Sequence, residues 1–536
     1  LFLYTMKGAI KDAMNGKGLD LTASAKGEEL KKLVELLELP QLKGKTVPQI
    51  GPFDVSAHVM APKKKLSLSD IKIALGDQDF ATVKIGGAVK DVSEGKGLNL
   101  KLSATGPDLG RVSKLADVEL PLDGAFNIAA VLTDNKETFS LKGLNLQLGR
   151  SHLAGVAAVN ISGDRPLLNV SLTSLNIDLN EFKKNSTDKK PEGKKISDKN
   201  VKSQKRVFSS APFPLDGLQM VNARIKMAKG RVLSNGLQLK NLSLDMTLKE
   251  GNLSIHPVKG SLANGNFSAV ISLDASQQKK AALNAKMSFN KIAVSNLLKD
   301  MKLTNLVSAG KINMMADLAG KGNSVQTLMA GLSGKVSLTM GKGKIENKYV
   351  DIIAADLINL IVPGGMKKDY TAVNCFVSRF DIKNGLATNN GFLFDTDNIT
   401  VAGDGNIDLS TEKLNLVLKP KPKKASLISL AIPLNVRGTL AEPSIRPDTA
   451  SVAKKVAGSI LGSLINPAAI LVPLVSKGTK DKNSCIEALK KSKKSAGDPG
   501  SKQKTSKSVK KQKEKKPEDI QDVLEGIGKG LGGLFK

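Results

Sequence analysis

Apolar residues recur along this chain in one spaced pattern. Leu66-x-Leu68-x-x-Ile71-x-Ile73-x-Leu75 returns as Phe139-x-Leu141-x-x-Leu144-x-Leu146-x-Leu148 and again as Leu237-x-Leu239-x-x-Leu242-x-Leu244-x-Met246. Alternation with a period of two puts the apolar set on one face of a β-strand. The extra residue after the second apolar position would send the rest of the set to the other face. A β-bulge or short bend absorbs such a residue, and Gly143 in the second copy suits one. The first two copies are 73 residues apart, the second and third 98. Removing the 25-residue basic run 183–207 from the second gap restores 73, so that run reads as a linker inserted into a repeat array.

Further alternating runs follow each copy. They include Leu98-x-Leu100-x-Leu102, Leu168-x-Val170-x-Leu172, Leu175-x-Ile177-x-Leu179 and Leu283-x-Ala285-x-Met287-x-Phe289. Near the end of the array, Ile399–Leu409 and Leu414–Leu418 face each other across Ser410–Lys413, a hairpin by spacing. Helical signals are few. Residues 28–39 place Leu30, Leu33, Val34 and Leu37 on one face, and 347–362 is apolar almost all round. The window 455–475 is the most apolar, but Asn466, Pro467 and Pro473 interrupt it, which favours a helical cap over the array's open edge rather than a membrane span. In 518–535, Ile520, Val523, Leu524, Ile527, Leu531 and Leu534 share one helical face, weakened by five glycines. They are candidates for contact with a membrane surface, with the groove or with their own domain.

The expected fold is therefore mainly β: an elongated, repetitive β-sheet array curled into an apolar groove, with a few short helices and a C-terminal helical cap. Residues 1–182 form a first β-repeat region, 183–212 a basic linker and 213–449 a second β-repeat module. An apolar cap (450–490), a basic tail (491–517) and an amphipathic helix (518–536) follow. The groove-lining candidates are Ile71, Ile73, Leu75, Leu144, Leu146, Leu148, Leu242, Leu244 and Met246. Pattern alone leaves two destinies for them, a trough open to acyl chains or an ordinary sealed core.

Composition narrows the function. Aromatic residues are only 3% of the chain and Trp is absent, so surfaces for stacking bases or gripping sugars are scarce. The net charge is +31. Ten Lys and Arg against three acids in 183–207, and fifteen against four in 477–517, hold eighteen of those charges in low-complexity runs. Solvated linkers account for them, and anionic lipid headgroups are the next reading; a nucleic-acid partner is not expected. His58, His152 and His256 are far apart and no CxxC, HxxxH or HxxEH spacing occurs, so no metal site or cofactor is expected. There is no GxSxG and no P-loop, and Gly341-x-Gly343 lacks a third glycine; no catalytic residues are assigned and the chain does not read as an enzyme. The chain begins at Leu1 rather than Met and reads as a fragment whose true N-terminus lies outside it.

Several stretches resemble the AsmA family of Gram-negative envelope proteins. They are GPFDVSAHV, LSLSDIKIALGDQDFATVKIGGAVKD and FSLKGLNLQLGRSHLAGVAAVNISGDRPLLNVSLTSLNIDL in the first half. In the second half, MSFNKIAVSNLLKD, AGLSGKVSLTMGKGKIENKYVDIIAADL, TAVNCFVSRFDIKNGLATN, VAGDGNIDLSTEKLNLVLKPKPK and IPLNVRGTLAEPSIRPD are similar to the family's C-terminal module. The resemblance implies an inner-membrane protein with its body in the periplasm, held by an N-terminal anchor missing from this sequence. It also implies a part in outer-membrane biogenesis and protein targeting to membranes. Larger relatives resemble bridge-like lipid-transfer proteins with a hydrophobic β-groove, which favours the open trough.

The implied function is binding or conveying phospholipid, or another acyl-chain lipid, along the groove. The alternative is a scaffold or regulator of outer-membrane protein targeting and assembly. The implied partners are lipid, a membrane surface and outer-membrane assembly factors. The basic insert and tail depart from the family pattern. Cys375 and Cys485 fall at positions similar to family cysteines; in an oxidising compartment they could pair, the alternative being two buried free thiols.

Overall fold

The protein is described by a computed structural model covering residues 2–12, 17–31, 51–61, 65–110, 112, 124–181, 206–276, 280–301, 307–346, 370–423, 433–448 and 485. Those residues form twenty-five strands and three short helices. The expected helices at 28–39, 347–362, 450–490 and 518–535 lie largely or wholly outside them. The chain divides into two compact units.

The first unit takes in residues 1–196, 216–234 and 238–258. Its strands are β1 (Phe2–Asp12), β2 (Lys17–Gly27), β3 (Phe53–Ala61), β4 (Ser67–Leu75), β5 (Thr82–Asp91), β6 (Lys96–Gly106) and β7 (Phe126–Asn135). They continue with β8 (Thr138–Leu148), β9 (Ser151–Asn160), β10 (Leu167–Asp178), β11 (Asn222–Ser234) and β12 (Leu237–Lys249), and β13 (Asn252–Leu262) crosses the division. From β1 to β10 each strand pairs antiparallel with the next. β10 and β11 are parallel, Leu167 opposite Asn222. Parallel neighbours need a long crossover rather than a tight turn. The basic run 183–207 lies in that crossover, which accounts for its interrupting the 73-residue period.

The bulges fall where the spacing requires them. In β4 the register shifts between Leu68 and Ile71, with Asp70 at φ 49°. In β8 it shifts between Leu141 and Leu144, with Gly143 at φ 58°. In β12 Asn241 has φ 51° at the equivalent place. Each shift returns the chain to its original face. Leu68 lies opposite Val89, and Ile71, Ile73 and Leu75 lie opposite Gly87, Ile85 and Val83, an unbroken alternate set. Two of the bulges meet a glycine on the next strand: Ile71 is opposite Gly87 and Leu144 opposite Gly155. A Cβ at Gly87 would collide with the Asn99 carbonyl, and one at Gly155 with that of Ser171. Bulges and glycine kinks are the devices that bend a sheet.

The second unit takes in residues 197–215, 235–237 and 259–536. Its strands are β14 (Gly265–Asp274), β15 (Ala281–Ala293), β16 (Val307–Ala309), β17 (Lys311–Gly322), β18 (Ser333–Met340) and β19 (Gly343–Glu346). β20 (Tyr370–Lys383), β21 (Leu386–Thr396), β22 (Ile399–Asp408), β23 (Lys413–Pro422), β24 (Leu434–Gly438) and β25 (Pro443–Pro447) complete it. The ladder runs antiparallel as β14–β15–β17–β18–β20–β21–β22–β23–β24–β25. β22 and β23 are the expected hairpin. Its turn carries Glu412, 1% exposed, whose carboxylate accepts hydrogen bonds from the backbone N–H groups of Val207 and Phe208. Phe208 packs there with Leu332, Ile382, Ala387 and Leu409, so the end of the basic run is held by a buried acid and an apolar plug.

The bulge and kink glycines make a graded prediction. A side chain at Gly143 meets no atom within 4 Å, so Gly143→Val should lose only the left-handed backbone's tolerance, about 1–2 kcal/mol. Gly143→Asn should cost less, since Asn tolerates that conformation. Gly87→Ala should cost more than either, because collision adds to strain. Denaturant midpoints of the three variants check the order.

Candidate functional site

The bulges align apolar side chains into rows that run across the strands. One row, read through successive pairs, is Phe53, Leu75, Val83, Ala104, Ile128, Leu146, Leu153 and Leu175. A second is Tyr4, Ala25, Val55, Ile73, Ile85, Leu102 and Ala130. A third passes from Ile71 through Gly87, Leu100, Leu132, Leu141 and Ala157 to Val170 and Ile225. No charged residue interrupts any of them. The first row crosses eight strands, about 33 Å at the usual inter-strand spacing.

Burial distinguishes a lining from a core. Ile73, Leu75, Leu144, Leu146, Leu244 and Met246 are half-buried, whereas Ile71, Leu148 and Leu242 are buried. Leu148 joins Ala81, Leu109 and Phe126 in a cluster that seals the strand ends. It is a rim residue more than a lining one. Leu242 sits beside Met227 and Gly230, which pair with Leu172 and Leu175, so all three sequence copies share one face of this unit. At the β1 end Tyr4 is 79% exposed. Val83, Ile85, Leu102, Ile128, Leu153 and Leu175 stand in the same rows as these candidates. Their own alternating strands were the available signal.

The second unit repeats the arrangement within itself. Ala269, Met287, Ala316, Val336 and Phe380 form one row, and Phe267, Phe289, Met314 and Leu338 another. Phe267 and Phe289 stack at 5.9 Å between centroids. Another bulge, at Lys291 with φ 56°, keeps Ile292 in step with Phe289. The disulfide candidates meet on this unit. Cys375 in β20 is bonded to Cys485, with Cα atoms 5.7 Å apart and both side chains buried.

Polar groups are used for structure at the strand ends. Lys65 is 2.9 Å from Asp91, and its hydrogen bond holds that carboxyl below the ordinary carboxylate range while Asp91 also accepts from the Glu94 N–H. Arg150 bridges Asp178 and Glu181 at 2.6 and 3.0 Å. His58 bonds Asp20 across β3 and β2, and His152 bonds Asn145. Among the described residues no three His, Cys, Asp or Glu side chains gather in a way that could hold a metal ion, and no helix is long and apolar enough to cross a membrane. The membrane-contact candidates Ile520, Val523, Leu524, Ile527, Leu531 and Leu534 lie outside the described residues.

A predominantly antiparallel repeat of long strands, with apolar rows kept on one face by bulges, defines an open, curled β-array. The AsmA family model matches residues 48–392, and the chain belongs to that family of envelope proteins. Membership associates it with envelope and outer-membrane function. It is similar to the AsmA family protein YhjG of Escherichia coli (strain K12), 28% identical over 428 residues. That match covers 77% of this chain and 62% of the relative, so the chain spans less than two thirds of the relative's length. No solved structure matches.

The disulfide closes a sequence separation of 110 residues. In the chain-entropy account such a link contributes about 4–5 kcal/mol. Cys375→Ser should therefore lower the unfolding midpoint of this unit and abolish the mobility difference between reduced and non-reduced protein on a gel. Free thiols titrating in the folded, unreduced chain would contradict the pairing.

Proposed function

We propose that this chain is a non-enzymatic envelope protein that binds phospholipid acyl chains on its apolar rows and conveys them across the strands. The carrying observation is the row from Phe53 to Leu175, apolar at all eight positions and half-buried at seven of them, Phe53 alone being buried. Each methylene withdrawn from water onto such a surface contributes about 0.8 kcal/mol. One leaflet of hydrocarbon is about 15 Å thick, so a row of about 33 Å exceeds an acyl chain's reach. A chain can then move from strand to strand without returning to water. The hydrophobic effect has no direction, so such a surface discriminates little among acyl chains. In this reading the body lies in the periplasm of a bacterium with the chain tied to the inner membrane, and its partners are lipid and the membrane surface. A scaffold for outer-membrane protein assembly is the competing reading; it needs contacts at the array's edges and no occupied rows.

Leu75→Glu combined with Leu146→Glu puts two carboxylates into one row at half-buried positions. Phospholipid co-purifying with the full chain, quantified by mass spectrometry, should fall severalfold while circular dichroism stays β-like. Unchanged lipid content in a folded variant would reject the lipid reading, and a simultaneous defect in outer-membrane protein assembly would support the scaffold.

A further inference from the structure

The opposite face of the first unit carries a feature of different chemistry. A cleft of about 820 Å³ opens over β3 to β7. Its polar lining comprises Lys72, Lys84, Lys101, Ser56, Ser103 and Asn99, with Asp54 as the one acid. The register assembles it. Ser56, Lys72, Gly86, Lys101 and Val131 form one cross-strand row, and Asp54, Ala74, Lys84 and Ser103 form the next. Side chains alternate between faces, so these rows lie behind the apolar ones. Lys72 and Lys101 flank Gly86, two strand spacings apart, about 10 Å. Gly86 supplies no side chain between them, which leaves room for a ligand.

The charges there are uncompensated. Among the described residues Lys65, Lys96, Lys226, Lys286, Lys419 and Lys423 each have a carboxylate partner. Lys72, Lys84 and Lys101 have none, and Asp54 is turned to Lys26 at 3.7 Å. Three ammonium groups around one opening repel each other, and a multiply charged anion relieves that repulsion. Ammonium groups bind phosphate as point charges, while hydroxyl and amide donors such as Ser56, Ser103 and Asn99 add direction. The volume falls in the range of small-molecule sites.

We propose that this cleft binds a phosphorylated anion through Lys72, Lys84 and Lys101. The shared chemistry is the phosphate group, carried either by a soluble phosphate ester or by a lipid headgroup. Ile73, Ile85 and Gly87 of the apolar rows also border the cleft, but its charged groups all come from the lysine-bearing rows and the binding needs no acyl chain.

Pyrophosphate titrated into the full chain by calorimetry tests the site, and sedimentation with vesicles of phosphatidylcholine containing phosphatidylglycerol tests the source. Binding of pyrophosphate should weaken as salt rises and fall at least about tenfold in the triple variant Lys72→Gln, Lys84→Gln, Lys101→Gln. These three side chains are exposed, so the fold should survive their neutralisation. The control variant Lys136→Gln, Lys240→Gln, Lys249→Gln removes the same charge from exposed positions outside the cleft and should bind as the parent does. Loss of both pyrophosphate and vesicle binding in the cleft variant assigns the lipid headgroup; loss of pyrophosphate alone assigns the soluble ester. No pyrophosphate binding by the parent, or equal loss in both variants, overturns the site. The double substitution Leu75→Glu, Leu146→Glu should leave pyrophosphate binding unchanged, which separates this site from the lipid reading.

Discussion

The structure depends on keeping a strand's apolar side chains on one face after its spacing has slipped by a residue. A one-residue slip in a β-strand exposes everything meant to be covered and covers everything meant to be wet. Four of the long strands with such a slip carry a residue in the left-handed region at it, whereas the slip between Leu172 and Ser174 in β10 has none. Asp70, Gly143, Asn241 and Lys291 are the four residues. Only one of the four is glycine. A non-glycine residue held there is under local strain, and the flanking ladder must outweigh it. What outweighs it is the registry of the apolar rows, three of seven or eight strands in the first unit and two of five and four strands in the second.

The same geometry separates two chemistries at close quarters. Because a sheet is one residue thick, Ile73 and Lys72 are neighbours in sequence yet serve opposite surfaces. The apolar rows offer nondirectional adhesion, whereas the lysines offer charge and hydrogen bonds. In the second unit, a buried carboxylate in a hairpin turn performs a structural task instead. Glu412 satisfies two backbone donors at the end of a segment rich in lysine. Its burial is tolerated because both oxygens accept hydrogen bonds, the condition under which a charge can be taken from water.

Much of this was legible in the chain. The three-residue gaps between Leu68 and Ile71 and between Leu141 and Leu144 coincide with register shifts, and Asn241 is left-handed in the gap between Leu239 and Leu242, because parity is a local property. The 73-residue period, recovered by omitting 183–207, anticipated an insertion between repeating strands; it now corresponds to the crossover between parallel β10 and β11. The rows themselves were not legible. They depend on which residue faces which across strands, a non-local matter set by turn lengths and bulges together. For that reason the repeated pattern does not single out Val83, Ile128 and Leu153, and it does not reveal that Leu148 packs with Ala81, Leu109 and Phe126. The lysine cleft was hidden for the same reason. Lys72, Lys84 and Lys101 look like ordinary solvent-facing positions until the register stacks them beside Gly86. The glycine kinks had a signal that went unused: Gly86–Gly87 interrupts an otherwise strong β-forming run.

One consequence concerns growth. Continuity here is perpendicular to the polypeptide, so each additional hairpin lengthens the slick surface by two rungs while leaving all earlier contacts as they were. Such an architecture can be lengthened by duplication alone, provided every strand whose spacing slips brings its own parity-correcting kink.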